Sequence, residues 1–312
     1  MAELSYPEMR RDFYQKYQQK IVPLIKAYDK ERKFKLALAI LISSFFSIIG
    51  IAIIIAYILS ETKDSDTFEV CAQYSLMMFA LAIISWCTIK KNFENKIKKK
   101  IMPTVCSCFE TLEWSVGMCM YSELFKESAV IPDFTEEVYD DIFKGTHRGV
   151  NMEILESKFY IGSGKNRRKV FKGVIVKLDM NKNFTSHTVI APDTLLHLSP
   201  KTHLKHTTLE DVQFEKKFDV FTNDEVDARY LITPTFMERL KAMKTAFKAD
   251  KIRCAFFGDI LLVALSTKKD LFSLCSLVKP IDDARQYFQM YEEIVSIIKL
   301  IDHFKLNQKI GL

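Results

Sequence analysis

Glycine is scarce, nine residues in 312, which disfavours a fold organised around glycine-rich phosphate loops. The nearest approach to such a loop is Gly162-Ser163-Gly164-Lys165. It has Phe159 where the first glycine belongs, Asn166 where a Ser or Thr should follow the lysine, and a strand pattern where a helix should begin. It is no nucleophile elbow either, since that motif needs G-x-S-x-G at a strand-to-helix turn. None of the seven cysteines stands in CxxC spacing, and Cys106 and Cys108, two apart on a helical pattern, point to different faces. They read as small buried hydrophobes kept reduced in a cytoplasmic setting. No pattern calls for a cofactor.

Charge is missing from two long stretches. Leu36 to Leu59 is an uncharged run of 24 residues and Val70 to Ile89 one of 20. At 1.5 Å rise per residue each covers the roughly 30 Å hydrocarbon core of a bilayer. A hairpin of two transmembrane helices is expected, with an external loop over 60–69. A cleaved signal peptide does not fit, because a long polar segment precedes the first run and no small-residue cleavage site follows it. Neither run contains Asp, Glu, Lys, Arg or His, so nothing in them supports a proton relay or a transporter.

What charge there is lies beside these runs. The net charge of +6 is carried by residues 1–35, with nine Lys/Arg, and 90–100, with six Lys; the link 60–69 has only Lys63 against four carboxylates. Lys and Arg resist translocation, so both ends of the hairpin are expected in the cytoplasm. Residues 101–312 hold 29 basic and 29 acidic side chains. A neutral domain gives no footprint for nucleic acid, whereas the basic flanks suit a lipid bilayer with anionic headgroups.

Apolar periodicity extends the helices beyond the membrane. Met9, Phe13, Tyr17, Ile21, Leu24 and Tyr28 recur at three- and four-residue spacing, with Pro23 expected to kink the segment. Phe93, Ile97, Ile101, Val105, Phe109 and Leu112 repeat the pattern, so 1–35 and a stalk over 90–130 are expected to pair. An in-plane helix on the membrane surface is the competing reading of the first. Within the first span Ala39, Ser43 and Ser47 form a small-residue ridge, suited to the second span or, alternatively, to a second copy of the chain.

From Val150 the period falls to two. Val150–Ile161 and Val170–Leu178 read as a hairpin, Phe184–Ile190 as a third strand, and Val212, Phe214, Phe218 and Val220 as one face of a fourth. Thr233-Pro234 opens a helix, Ile252–Leu265 reads as a central hairpin turning at Gly258-Asp259, and Ala284 onward as a closing helix. Residues 131–312 are therefore expected to form a cytoplasmic α+β domain, an antiparallel sheet with packed helices.

Three sets of residues are candidates for a site. His197, His203 and His206, near Asp211, are ligand types for a divalent metal, set against solvated loop histidines. Lys165, Arg167, Arg168 and Lys169 form a basic hairpin tip that could meet headgroups or an acidic partner, set against a solvated turn. Arg229, in a mostly apolar stretch, needs solvent, a carboxylate such as Asp227 or Glu225, or a bound anion.

The strings FKGVIVKLDMNKNFTSHTVIAPD, Phe171 to Asp193, and LEDVQFEKKFDVFTNDEVDARYLITPTFMERL, Leu209 to Leu240, together with DIFKGTHRGVNMEILES, Asp141 to Ser157, resemble the bacterial domain-of-unknown-function family numbered thirty-one thirty-seven. Gln213 stands where the family usually has Glu. The resemblance implies a bacterial inner-membrane protein with two transmembrane helices ahead of a cytoplasmic domain, and a LemA-type membrane protein as partner. The combined expectation is a membrane-anchored binding, scaffold or regulatory module. The alternative is a membrane-tethered enzyme, hydrolase-like or metal-dependent, with a site built from His197, His203 and Asp211.

Overall fold

A computed structural model describes residues 5–60, 64–109, 111–180, 184, 186–192, 203–209, 211–269, 271–280 and 283–304. The chain divides into two compact units, Met1–Cys108 with Ser273–Ala284, and Phe109–Phe272 with Arg285–Leu312.

The first unit is a helical hairpin. Helix α1 (Tyr6–Lys16) starts at a capping box in which Ser5 and Glu8 satisfy each other's groups, with Pro7 in its first turn. A π-helical turn, Tyr17–Ile21, joins it to α2 (Val22–Leu59). The wide turn stands just before Pro23, which lacks an N–H and crowds the carbonyl four residues back. Asp64 caps α3 (Ser65–Cys106) by accepting from the Thr67 amide at 3.0 Å. The two apolar stripes bury each other as expected, with Phe13, Tyr17, Ile21 and Ile25 on one side and Phe93, Ile97, Ile101 and Val105 on the other. Lys96 pairs with Glu31 at 2.5 Å, and Lys16 Nζ donates to the Cys108 carbonyl at 3.3 Å.

Along the uncharged runs the burial pattern inverts. Ala39, Gly50, Ser75 and Ala82 are buried, and Ser43 Oγ donates to the Ala82 carbonyl at 3.1 Å. The small-residue ridge thus packs against the second helix. Leu41, Phe45, Ile48, Ile55, Leu76 and Ile83 point outward and stay exposed. Both helices, Tyr6–Leu59 and Ser65–Cys106, are long and apolar enough to cross a membrane.

The second unit is α+β. Its described strands form one antiparallel sheet: β1 (Glu113–Ser115), β2 (Glu136–His147), β3 (Val150–Ile161), β4 (Arg168–Asp179), β5 (Thr188–Pro192), β6 (Lys205–Thr207), β7 (Phe218–Thr222), β8 (Lys251–Phe257) and β9 (Ile260–Ser266). Their order is β1-β2-β3-β4-β9-β8-β5-β7-β6. One face carries Ile142, Leu155, Ile175, Leu262 and Phe221 and is covered by the segment of α4 (Ser122–Ser128), with Phe125, Val130 and Phe134. Aromatic contacts mark cover on the other face: Phe236 of α7 (Pro234–Ala246) lies 5.4 Å from Phe256, and Phe272 4.6 Å from Phe143. Helix α8 (Ala284–Phe304) buries Tyr287, Met290, Ile294, Ile297 and Ile301.

Several expected elements come out differently. Val212–Glu215 forms a single helical turn, α5, because the Asp211 carboxylate accepts from the Phe214 amide at 3.1 Å and caps it. Phe214 thus leaves the expected strand and stacks at 4.7 Å on Phe218, which with Val220 stays in β7. Paired β-structure begins at Thr188, four residues beyond the expected Phe184, while the Phe184 amide donates to the Gly258 carbonyl at 2.8 Å. The stalk segment 90–130 is helical as far as Cys106 and beyond it contains β1 and α4. The bulge in β4 falls at Val170, between the pairs Phe159↔Phe171 and Tyr160↔Lys169. Gly173, three residues on, lies outside the bulge and meets the close approach of β9.

Candidate functional site

The sheet face that buries Leu155 changes character one rung further along. Lys144, Glu153 and Lys177 are direct neighbours across β2, β3 and β4. Lys144 Nζ lies 2.9 Å and Lys177 Nζ 3.4 Å from the Glu153 carboxylate, and Lys177 also pairs with Asp179 at 3.0 Å. The Tyr121 hydroxyl donates to both Glu153 oxygens, at 2.7 and 2.9 Å. Nearby, the Tyr139 and Ser122 hydroxyls donate to Glu137 at 2.9 and 2.6 Å.

Electrostatics fix the protons in this cluster. Burial and the adjacent Glu153 carboxylate push the Tyr121 phenol far up. Burial also opposes the charge on Glu153, but the hydrogen bonds from Tyr121 and Lys144 and the charge of Lys177 outweigh it and hold the carboxyl below its usual range. Desolvation opposes the Lys177 charge, yet Asp179 and Glu153 raise it above the ordinary lysine value. Two ammonium groups thus balance two carboxylates, and a phenol that stays protonated faces an acid that stays ionised. Tyr121, Glu153 and Lys177 thus hold their protonation states rather than exchanging protons near neutral pH. Beside it the chain between β1 and Tyr121 exposes Val116, Met118 and Met120, the two methionines at 94% and 97%. Unbranched, polarisable Met side chains suit an adaptable apolar contact.

The histidines separate. The His203 ring lies 5.7 Å from that of His187, whose Nε2 is 2.9 Å from the Ser128 carbonyl. His206, on β6, places Nε2 3.4 Å from the carboxylate of buried Asp219 on β7 and its ring edge-on to Phe221. His197 lies outside the described residues. Among the described residues no three His, Cys, Asp or Glu converge as metal ligands. The His206–Asp219 pair instead borders a cleft of about 330 Å³ lined also by Thr208, Glu215 and Lys216.

The basic tip is divided. Arg167 makes a bidentate pair with Glu136, at 2.7 and 2.9 Å, and its guanidinium stacks 3.4 Å from the Tyr160 ring centre. Lys165, Arg168 and Lys169 are exposed. Arg229 is exposed in the last turn of α6 (Glu225–Leu231) and makes no ion pair among the described residues. Its expected partner Asp227 accepts from Ser186 instead.

The charged cluster was hidden from sequence reasoning. Glu153 sits between Met152 and Ile154 in a clean alternation and reads as an ordinary solvent-facing strand residue. Only the register brings Lys144 and Lys177 beside it, from nine residues before and 24 after.

Residues 169–306 match the family described as "Protein of unknown function (DUF3137)". No curated protein matches the chain. Among solved structures, that of the mycobacterial trehalose monomycolate transport factor A, TtfA, is similar over 64% of this chain and 91% of that one, at 11% identity and a TM-score of 0.37.

Proposed function

We infer that this chain, whose residues 169–306 carry a domain of a family without assigned activity, is a binding module anchored in the inner membrane by two spans, with both termini and the sheet unit in the cytoplasm. The inverted burial of the hairpin carries the reading. Only 11% of the most apolar window of each long helix is buried, and what is buried is small. A core helix of a soluble protein buries its large side chains; here they face outward, where only lipid spares them water. The basic flanks set the orientation. On the sheet unit, the exposed Met118 and Met120 beside the balanced Lys144–Glu153–Lys177 ladder offer an apolar contact with a polar rim, the anatomy of a protein interface. A membrane-protein partner, of LemA type as the family resemblance implies, suits that surface.

A topology reporter tests the frame. A phosphatase active only outside the cytoplasm, inserted at Ser65, is expected to be active, and the same enzyme fused after Leu312 silent. The reverse pattern, or silence at both sites, removes the reading.

A second reading, a membrane-tethered enzyme, is favoured by one observation, the His206–Asp219 pair at the mouth of the β6–β7 cleft. A buried carboxylate orienting an imidazole is the arrangement of a general base. On this reading a His206→Ala chain with an unchanged circular dichroism spectrum loses a hydrolytic turnover of the parent by about 100-fold or more. Equal turnover by the two chains, or none by the parent on ester, phosphate and amide panels, excludes it.

A further inference from the structure

The segment Ser273–Ala284 comes after the sheet strands in sequence, yet it belongs to the helical unit. The backbone of Leu277 joins it to both long helices. The Leu277 amide donates to Glu94 Oε1 of α3 at 3.1 Å, and its carbonyl accepts from Arg32 Nη1 of α2 at 3.3 Å. Cys275 Sγ adds a contact to the Glu94 carbonyl at 3.3 Å. Arg32 is itself buried and oriented by Asp29 at 2.8 Å. Leu274, Cys275 and Leu277 are buried, so the segment is a strap fastened across the helix pair.

The helices set the depth of the strap. Arg32 precedes the first uncharged residue, Leu36, by four positions, and Glu94 comes five after the last, Ile89. At 1.5 Å per residue both anchor points lie about 6–8 Å beyond the apolar runs. The polar layer on each side of the hydrocarbon is about 5–7 Å thick, so Leu277 stands at headgroup depth. What the strap leaves uncovered fits that layer. Val278 is 54% exposed and Lys279 is exposed; Phe34 at 66%, Lys91, and Lys33, whose ammonium also pairs with Asp29 at 2.8 Å, are exposed in the same layer, about 3–5 Å beyond the apolar runs.

Resting on the membrane-anchored reading above, we propose that the strap is a membrane-contact element: Val278 enters the headgroup layer and Lys279, with Lys33 and Lys91, binds anionic phospholipid. The strap comes after both spans, so its charge is not needed to set their orientation; its use is contact with the lipid surface. The contact thus comes from a site far in sequence from the first span.

Site-specific photocrosslinking tests this on the full-length chain. Benzoylphenylalanine replaces Val278, Ile48 or the exposed Val226 of the sheet unit, each in nanodiscs of phosphatidylcholine with about 30% phosphatidylglycerol or of phosphatidylcholine alone, with adducts read by mass. The expected result is lipid adduct at position 278 at least fivefold above that at 226, falling at least threefold without phosphatidylglycerol or on adding K279E and K91E. Adduct at 48 with none at 278, a protein adduct in place of lipid, or equal yield in the two lipids overturns the strap proposal. Absence of lipid adduct at 48 overturns the membrane reading beneath it.

Discussion

Replacing Glu293 with glutamine is expected to stabilise the sheet unit by about 2–4 kcal/mol at pH 8 and to leave it unchanged at pH 4. Glu293 lies fully buried on α8. One carboxyl oxygen accepts from Gln289 at 2.9 Å, and the other has no hydrogen-bond partner among the described residues. Gln289 also donates to the Ala246 carbonyl at the end of α7, at 2.5 Å. Burial pushes the Glu293 carboxyl up to about 8 against an ordinary 4.5, with Gln289 and Lys248 only partly offsetting it. The folded chain therefore keeps a proton that the unfolded chain releases above pH 4.5. Stability falls by about 1.4 kcal/mol per pH unit between those values and levels off above about pH 8. The full shift corresponds to roughly 5 kcal/mol, an upper bound on what removing the titration can return. Hydrogen exchange of the slowest β4 and β9 amides, measured at pH 5 and pH 8 on parent and E293Q, reads the difference directly. Identical pH dependence in the two chains would show that Glu293 does not titrate between folded and unfolded states.

Gly173→Ala is expected to be the most damaging single methyl in the sheet, costing about 3–5 kcal/mol or preventing the unit from folding. Gly173 sits on β4 opposite Ser157 of β3 and Ser266 of β9. A Cβ there would overlap the Leu265 carbonyl oxygen and come within 2.9 Å of its carbon. The obstacle is backbone, which cannot swing aside as a side-chain tip can. Retreat of β9 would break the ladder on which β4, β8 and β5 depend. Gly149 is the control: its φ is +79° but no described atom lies within 4 Å of an added Cβ, so Gly149→Ala should cost only about 1 kcal/mol for the left-handed backbone. Equal losses in the two variants would mean that strand approach is not what Gly173 provides.

The same two positions mark how far the sequence could be read. Gly173 is visible as a glycine inside a strand pattern, which signals either a bulge or a close approach; choosing between them required the β9 register. Glu293 lies on a helix whose apolar stripe is plain and has Gln289 four residues before it on the same helix, yet nothing local says that the end of α7 meets that Gln289. β2 was missed because two residues bulge between Tyr139 and Ile142. The bulge reverses the alternation midway and turns Asp141 inward, where it accepts from Trp114 Nε1 at 2.8 Å. Of the candidate site residues, His206 gained a partner in Asp219 only through the β6–β7 pairing. Arg167 gained Glu136 through the folding of β2 against β3 and β4.

By itself the sequence determined the two long apolar helices, the pairing of their amphipathic extensions, the distribution of charge around them and the α+β character of the C-terminal half. Each of these rests on period, length or charge within a short stretch, and such local terms survive whatever the rest of the chain does. Only the tertiary structure decided which charges meet across the sheet, which carboxyl is sealed from water, and that residues 273–284 return to the helix pair. Those outcomes depend on register and on contacts between residues as far apart as Arg32 and Leu277, where one residue of slip changes every partner and faces every side chain the other way.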